Sequence, residues 1–97
     1  MSNYLYPATV ESNNEGGFIA KFRDVPEAIT EAWDLEELKN NARDALISAI
    51  DFYIEDRKAF PVGSTVKSGE IAIELPASVV AKVLLLNTMV QANVRPI

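Results

Sequence analysis

The stretch DLEELKNNARDALISAIDFYIED, residues 34–56, decides the fold, because it is the one long amphipathic segment in the 97-residue chain. Asp34 is a suitable N-cap, and Glu37 completes a capping-box pattern three residues later. We predict a helix from Asp34 to about Asp56 that needs a sheet or another helix to cover its apolar side. The apolar residues recur at steps of three and four: they are Leu35, Leu38, Ala42, Ala45, Leu46, Ala49, Phe52 and Tyr53.

Three segments around this helix alternate between apolar and polar residues, as half-buried strands do. They are YLYPATVE (4–11), FIAKFRD (18–24) and EIAIEL (70–75). Pro7 cannot donate to a strand ladder, so the first strand is predicted at a sheet edge, or with the N–H side of Pro7 facing outward. The segment SNNEGG (12–17) predicts a hairpin turn, although its adjacent glycines are also typical of a backbone that passes close to another group.

The connection between hairpin and helix contains a short apolar piece and a tryptophan. Pro26 ends the second strand, and residues 28–30 predict a short third strand. Trp33 stands just before the helix cap, where a hydrophobic staple or core role is favoured over an exposed anchor for a partner.

A second helix is predicted from Pro76 to about Asn93, since proline suits the first turn of a helix. This helix is apolar on nearly every side, so it has more apolar surface than one small sheet can cover. We therefore predict that it is buried either against a missing part of the chain or in a homo-oligomer, whose interface would contain Val83, Leu84, Leu86, Met89 and Val90. The order β-β-β-α-β-α describes a small α+β domain with one long helix packed on an antiparallel sheet.

Composition excludes several kinds of protein. The net charge of −5 argues against a free-standing nucleic-acid binder and fits a basic partner. With no cysteine and no histidine, thiolate and imidazole catalysis are excluded. The N-terminus does not have the pattern of a signal peptide, and the longest apolar stretch, residues 79–86, is too short to span a bilayer. We expect a cytoplasmic protein with no cofactor and no metal.

Several segments, in this order, resemble the HicB family of bacterial antitoxins. The matching pieces are Tyr6-Pro7, EGGF (15–18), FRDVPEA (22–28), ALISAIDFY (45–53) and ELPASVVAKVLLLN (74–87). The resemblance implies a fold like a cut-down RNase H domain without nuclease activity, and binding to a HicA toxin, a small basic RNA-cleaving protein. It also implies that residues 1–75 form the antitoxin domain, and that residues 76–97 lead into a missing C-terminal region that binds operator DNA.

Three functions follow as hypotheses. The first is an antitoxin of a type II toxin–antitoxin system, which covers the RNA-binding and catalytic face of a HicA-type toxin; the candidate partner-binding residues are Glu11, Asn13, Asp24, Glu27, Glu31 and Trp33. The second is a transcriptional autoregulator that binds DNA through the absent region. The third and least favoured is a metal-dependent RNase H-like nuclease, for which Asp24 at a strand end would have to converge with acids of the helix, Asp51, Glu55 or Asp56. We expect no catalytic residue.

Overall fold

The computed structural model describes residues 4–92, which form four strands and two helices. In chain order these are β1 Leu5–Ser12, β2 Phe18–Phe22, β3 Ile29–Ala32, α1 Leu35–Asp56, β4 Glu70–Glu74 and α2 Ala77–Gln91. The strands pair antiparallel in the order β3-β2-β1-β4. The predicted α+β class, with one long helix on a small antiparallel sheet, is confirmed.

Strand β1 lies inside the sheet, so the prediction of an edge strand is wrong. It pairs with β4 over Leu5–Thr9 but with β2 only over Ala8–Ser12. The Leu75 N–H donates to the Tyr4 carbonyl over 3.0 Å, which directs the backbone polar groups of Tyr4 toward β4. The backbone polar groups of successive strand residues point to alternate sides, so those of Pro7 point toward β2. The pairing of β1 with β2 begins only at Ala8, one residue later. The central strand therefore loses no ladder bond to its proline.

Helix α1 begins and ends with local capping interactions. The Glu37 N–H donates to Asp34 Oδ1 over 2.8 Å, which confirms the predicted N-cap. The Glu37 carboxylate reaches back to the N–H of Trp33, 3.2 Å away, one residue before the cap. Arg57 ends the helix in the left-handed region, with φ 54°. One stripe of α1 is buried against the inner face of the sheet: Leu38, Ala42, Leu46, Ala49 and Ile50. The predicted stripe is correct at its centre but wrong for Leu35, the first helical residue, and for Phe52, which are 49% and 59% exposed, and it leaves out Ile50.

The loop after α1 closes one end of this core. Phe60 is buried, with its ring edge-on to Tyr6 and Tyr53 at centroid distances of 5.7 and 5.0 Å. The Tyr6 hydroxyl donates to the Pro61 carbonyl over 2.7 Å. Val62, two residues after Phe60, is exposed.

Helix α2 is fastened to that loop by Asn87. Its side chain accepts from the Phe60 N–H over 2.7 Å and donates to the Phe60 carbonyl over 2.9 Å. Pro76 is the N-cap residue and not the first helical residue, and the predicted end near Asn93 lies outside the described residues. Val83 and Leu86 are buried in the chain's own core, which removes them from any surface offered to a second copy.

Candidate partner-binding surface

Trp33 lies at the surface, where β3 turns into α1. It is 65% exposed, so the prediction of a staple or core residue is wrong and the alternative of an exposed aromatic side chain holds. The ring borders a shallow cleft of about 200 Å³, which we call the Trp33 cleft. Its lining residues are Asn13, Glu15, Glu31, Ala32, Trp33 and Glu37.

The β1–β2 turn builds one wall of the Trp33 cleft. Asn13 Oδ1 accepts from the N–H groups of Glu15 and Gly17, at 2.9 and 2.8 Å, and the Asn13 N–H donates to the Gly17 carbonyl. These three bonds fix the turn from inside, because one side chain satisfies two of its free donors. Asn13 is therefore a structural residue whose amide also lines the cleft.

Gly17 lets the turn approach the end of β3. A Cβ atom there would lie 2.7 Å from the Ala32 carbonyl oxygen, 2.8 Å from Asn13 Nδ2 and 3.3 Å from Trp33 Cε3. No side chain fits at these distances, so the second glycine of the turn is required by close packing. Of the two sequence-based explanations for the glycine pair, close approach is the correct one for Gly17.

The far wall of the cleft is held by α1 and β3. The Asn41 side chain donates to the Glu31 carbonyl over 3.1 Å, which ties the end of β3 to α1. The Glu37 carboxylate accepts from the Trp33 N–H, so it stands at the base of the tryptophan. Three glutamates thus line the same cleft as one exposed aromatic residue, and none of the six lining residues is basic.

The structure brings some of the predicted partner-binding residues together. Asn13, Glu31 and Trp33 line the cleft. Glu11 lies in the same cross-strand row as Glu31, since Ile19 pairs with both of them, and its carboxylate is 3.3 Å from Lys21 Nζ. These residues form one continuous end of the domain.

Asp24 and Glu27 lie at the opposite end of the sheet, about 20 Å away along β2 at the usual rise per strand residue. The Asp24 side chain is only 14% exposed and accepts from the Ser64 N–H and hydroxyl, at 2.8 and 2.6 Å. Glu27 accepts from the Tyr53 hydroxyl over 2.9 Å. Burial and this hydrogen bond raise the pKa of Tyr53 to about 12. Both carboxylates thus support the fold and stand apart from the Trp33 cleft.

Glu15 and Glu37 were missed as candidate surface residues. The sequence pattern places Glu37 in the capping box, which is correct, but a capping side chain also lies beside the residues that precede the cap. Glu15 belongs to the predicted turn and is not among the predicted contacts. Both residues could be identified only from the proximity of the turn to Trp33. That proximity results from long-range strand pairing, which the local sequence pattern does not reveal.

The acids considered for a nuclease do not gather. Asp24 is tied to Ser64, while Asp51 lies on α1 with one oxygen 3.9 Å from Lys82 Nζ. Across residues 4–92, no three Asp or Glu side chains converge in a way that could hold a metal ion. Neither helix in this part of the chain is long and apolar enough to cross a membrane.

A scan against family models matches residues 5–84 to the HicB-like antitoxin of bacterial toxin–antitoxin systems. The chain belongs to the HicB-like antitoxin family. The match begins with β1 and reaches into α2, so the family region includes every strand and all of α1. The suspected resemblance is thereby confirmed.

Curated HicB relatives resemble this chain along most of its length. Antitoxin HicB of Escherichia coli strain K12 is 43% identical over 89 residues, which cover 92% of this chain and 64% of the relative. Antitoxin HicB 2 of Photorhabdus laumondii is 49% identical over 91 residues, 94% of this chain and 63% of the relative. Antitoxin HicB 1 of the same organism is 39% identical over the whole chain and 61% of the relative. The chain thus spans less than two thirds of the length of these relatives.

Proposed function

We propose that this chain is an antitoxin of a type II toxin–antitoxin system and neutralises a HicA-type, mRNA-cleaving toxin by binding it in the cytoplasm. The observation that carries the proposal is the match to the HicB-like antitoxin family over residues 5–84, with relatives named antitoxin HicB at 39–49% identity. A role as a binding protein, and not as an enzyme, agrees with that family.

Charge supports a basic partner. The chain carries fourteen acidic and nine basic residues, for a net charge of −5. A toxin that cleaves RNA needs a basic face for the phosphates, and an acidic protein is drawn to that face at long range. Covering the face would exclude RNA and bury the catalytic residues, with no chemistry required of the antitoxin.

Co-expression with a HicA-type toxin encoded beside this gene tests the proposal. We expect a stable complex in an affinity pull-down and restored growth of cells that express the toxin. The matched control is the same toxin with an unrelated acidic protein of similar size. Absence of both complex and rescue would overturn antitoxin function for this chain.

A second candidate function, operator binding, comes from the family resemblance, and the greater length of the relatives leaves room for the region that would perform it. We propose that residues 76–97 lead into a region that binds the operator, and that residues 4–92 alone do not bind it, because their surface is acidic. An operator gel-shift with this chain and with a longer version tests the assignment. Tight, specific binding by this chain alone would contradict it.

A third component of the proposal is self-association through α2. Leu84 and Leu85 are 50% and 63% exposed, and Met89 is also exposed, while Val90 is half-buried beside them. Val83, Leu86 and Asn87 hold the opposite side of α2 against the domain. The outer side of α2 is therefore left exposed within residues 4–92. A second copy would bury it by apolar contact, since these side chains carry no charge that would repel an identical surface.

A further inference from the structure

We propose that the Trp33 cleft binds one cationic side chain, a lysine or an arginine, from the basic partner. The inference rests on the proposed function and adds to it a place and a chemistry of recognition. It is carried by the joint position of an exposed indole ring and three glutamates around one small cleft.

The tryptophan is exposed but held in place. Its backbone N–H donates to the Glu37 carboxylate over 3.2 Å, and it is followed at once by the Asp34 cap of α1. The ring lies against the turn, so close that a Cβ on Gly17 would be 3.3 Å from Cε3. An exposed aromatic ring with one edge against its own fold is typical of a residue that anchors a partner, because the contact restricts the side chain before binding.

The charges around the ring select the occupant. Aromatic faces attract cations through the ring quadrupole, and nearby carboxylates add Coulomb attraction and hydrogen-bond acceptors. Glu15, Glu31 and Glu37 provide those carboxylates, without a basic residue among the lining residues to neutralise them. An apolar side chain would have to desolvate the carboxylates with nothing in return, and an acidic one would be repelled.

The size of the cleft fits a single side chain. Its volume of about 200 Å³ is below the roughly 300–1,000 Å³ of pockets that enclose small-molecule ligands. The cleft is also open and shallow, at the end of the domain where the predicted contacts Glu11, Asn13 and Glu31 already gather. A lysine or arginine that projects from the partner can enter such a cleft while the surfaces of the two proteins around the cleft come into contact.

The single tryptophan allows a direct test. We would label the full chain with 5-fluorotryptophan and titrate it with the unlabelled, catalytically inactive form of the toxin encoded beside it. The one fluorine resonance should shift or broaden on binding. A complex that forms while this resonance stays unmoved would overturn the inference and leave the proposed function standing, whereas no complex at all would overturn both.

Substitutions at Trp33 separate cationic from apolar recognition. By titration calorimetry, Trp33→Leu should raise the Kd for the toxin at least tenfold, while Trp33→Phe, which keeps an aromatic face, should stay within about threefold of the wild type. The exposed position predicts that both variants fold, and circular dichroism and urea unfolding would verify it. Equal affinities for the leucine and phenylalanine variants would contradict cation binding.

A charge-matched pair tests the carboxylates. Glu31→Gln should weaken binding three- to tenfold and reduce the loss of affinity with added salt, because it removes one charge from the cleft. Glu36→Gln removes the same charge from an exposed position on the first turn of α1 outside the cleft, so it serves as the control. Equal effects of the two substitutions would show that net charge alone matters and would overturn a specific site.

Discussion

Gly17 illustrates at the residue scale how one backbone position shapes the surface. It is buried between the Ala32 carbonyl, the Asn13 amide and the Trp33 ring. Gly17→Ala should destabilise the fold by about 1–3 kcal/mol, the usual cost of forcing extra volume into a packed site. Urea unfolding measures it, with Asn14→Ala in the exposed part of the same turn as the control, expected within about 0.5 kcal/mol of wild type. An unchanged Gly17→Ala midpoint would contradict the close approach.

Glu70 predicts a pH dependence of stability. Hydrogen bonds from the Arg23 guanidinium, at 3.0 and 3.2 Å, and from the Lys67 N–H, at 2.8 Å, lower the pKa of Glu70 below its ordinary 4.5. A carboxylate whose pKa is lower in the folded state contributes stability above the unfolded-state value and loses it as pH falls through the folded-state value. The stabilising contribution of Glu70 is therefore present at neutral pH and is lost below about pH 4.5.

The comparison of Glu70→Gln with wild type measures this contribution. At pH 7 the variant should unfold at lower urea concentration, and the gap between the two midpoints should shrink as pH is lowered below 4.5. Glu74→Gln, on an exposed position of the same strand, is the control and should follow the wild type throughout. A gap for Glu70→Gln that stays constant down to pH 3 would contradict the pairing with Arg23.

At the same scale, the sequence predicts local roles better than surface roles. Asp34 and Glu37 cap α1 because capping depends on neighbours three residues apart. Trp33 could not be placed, since its exposure depends on Gly17 and Ala32, which reach it through strand pairing. The sequence presents Asp24 as a free acid, but its hydrogen-bond partner Ser64 lies in a loop 40 residues further along the chain.

At the scale of elements, helix α2 shows why a uniformly apolar sequence hides its buried side. Periodicity could not separate Val83 and Leu86, which are buried, from Leu84 and Leu85, which are exposed. Asn87 helps to decide which side of α2 is buried, because its side-chain amide forms hydrogen bonds with both the N–H and the carbonyl of Phe60. The strand order could not be predicted from the sequence either. It depends on β4, the last strand in the chain, pairing with the edge of β1 that β2 leaves open. The long helix was predictable because its pattern is local.

Asn87 gives the prediction at this scale. Asn87→Ala leaves the half-buried N–H and carbonyl of Phe60 without their partners, which should cost about 2–3 kcal/mol. Asn87→Asp keeps an acceptor for the N–H but loses the donor, so it should fall between alanine and wild type. Urea unfolding and hydrogen exchange at the Phe60 amide report both effects, with the exposed Gln91→Ala as the control. Equal stability of all four proteins would contradict the anchoring of α2.

At the scale of the whole molecule, the domain has two exposed regions of different chemistry. The Trp33 cleft is acidic and aromatic, whereas the outer side of α2 is apolar and uncharged at Leu84, Leu85 and Met89. Under the proposals above, the Trp33 cleft would bind the basic toxin and the outer side of α2 would bind a second copy of the chain. Toxin binding and self-association should therefore be separable by substitution.

Self-association is predicted to depend on Leu85. The wild-type chain should form a dimer in a concentration-dependent manner in sedimentation equilibrium, and Leu85→Glu should be monomeric while still binding the toxin, because it places a charge in the apolar contact. Val62→Glu, at an exposed apolar loop position, is the control and should dimerise normally. A wild-type chain that stays monomeric at millimolar concentration, or a Leu85→Glu variant that dimerises like it, would refute the α2 interface.

Neutralisation of the toxin is the central claim, and the titration of its RNA cleavage by this purified chain tests it most directly. The cleavage rate of a fixed amount of toxin would be measured as the chain is added. We predict that cleavage falls in proportion to the amount added and stops when the chain is stoichiometric with the toxin. Cleavage that continues undiminished at a tenfold molar excess of folded chain would contradict the claim.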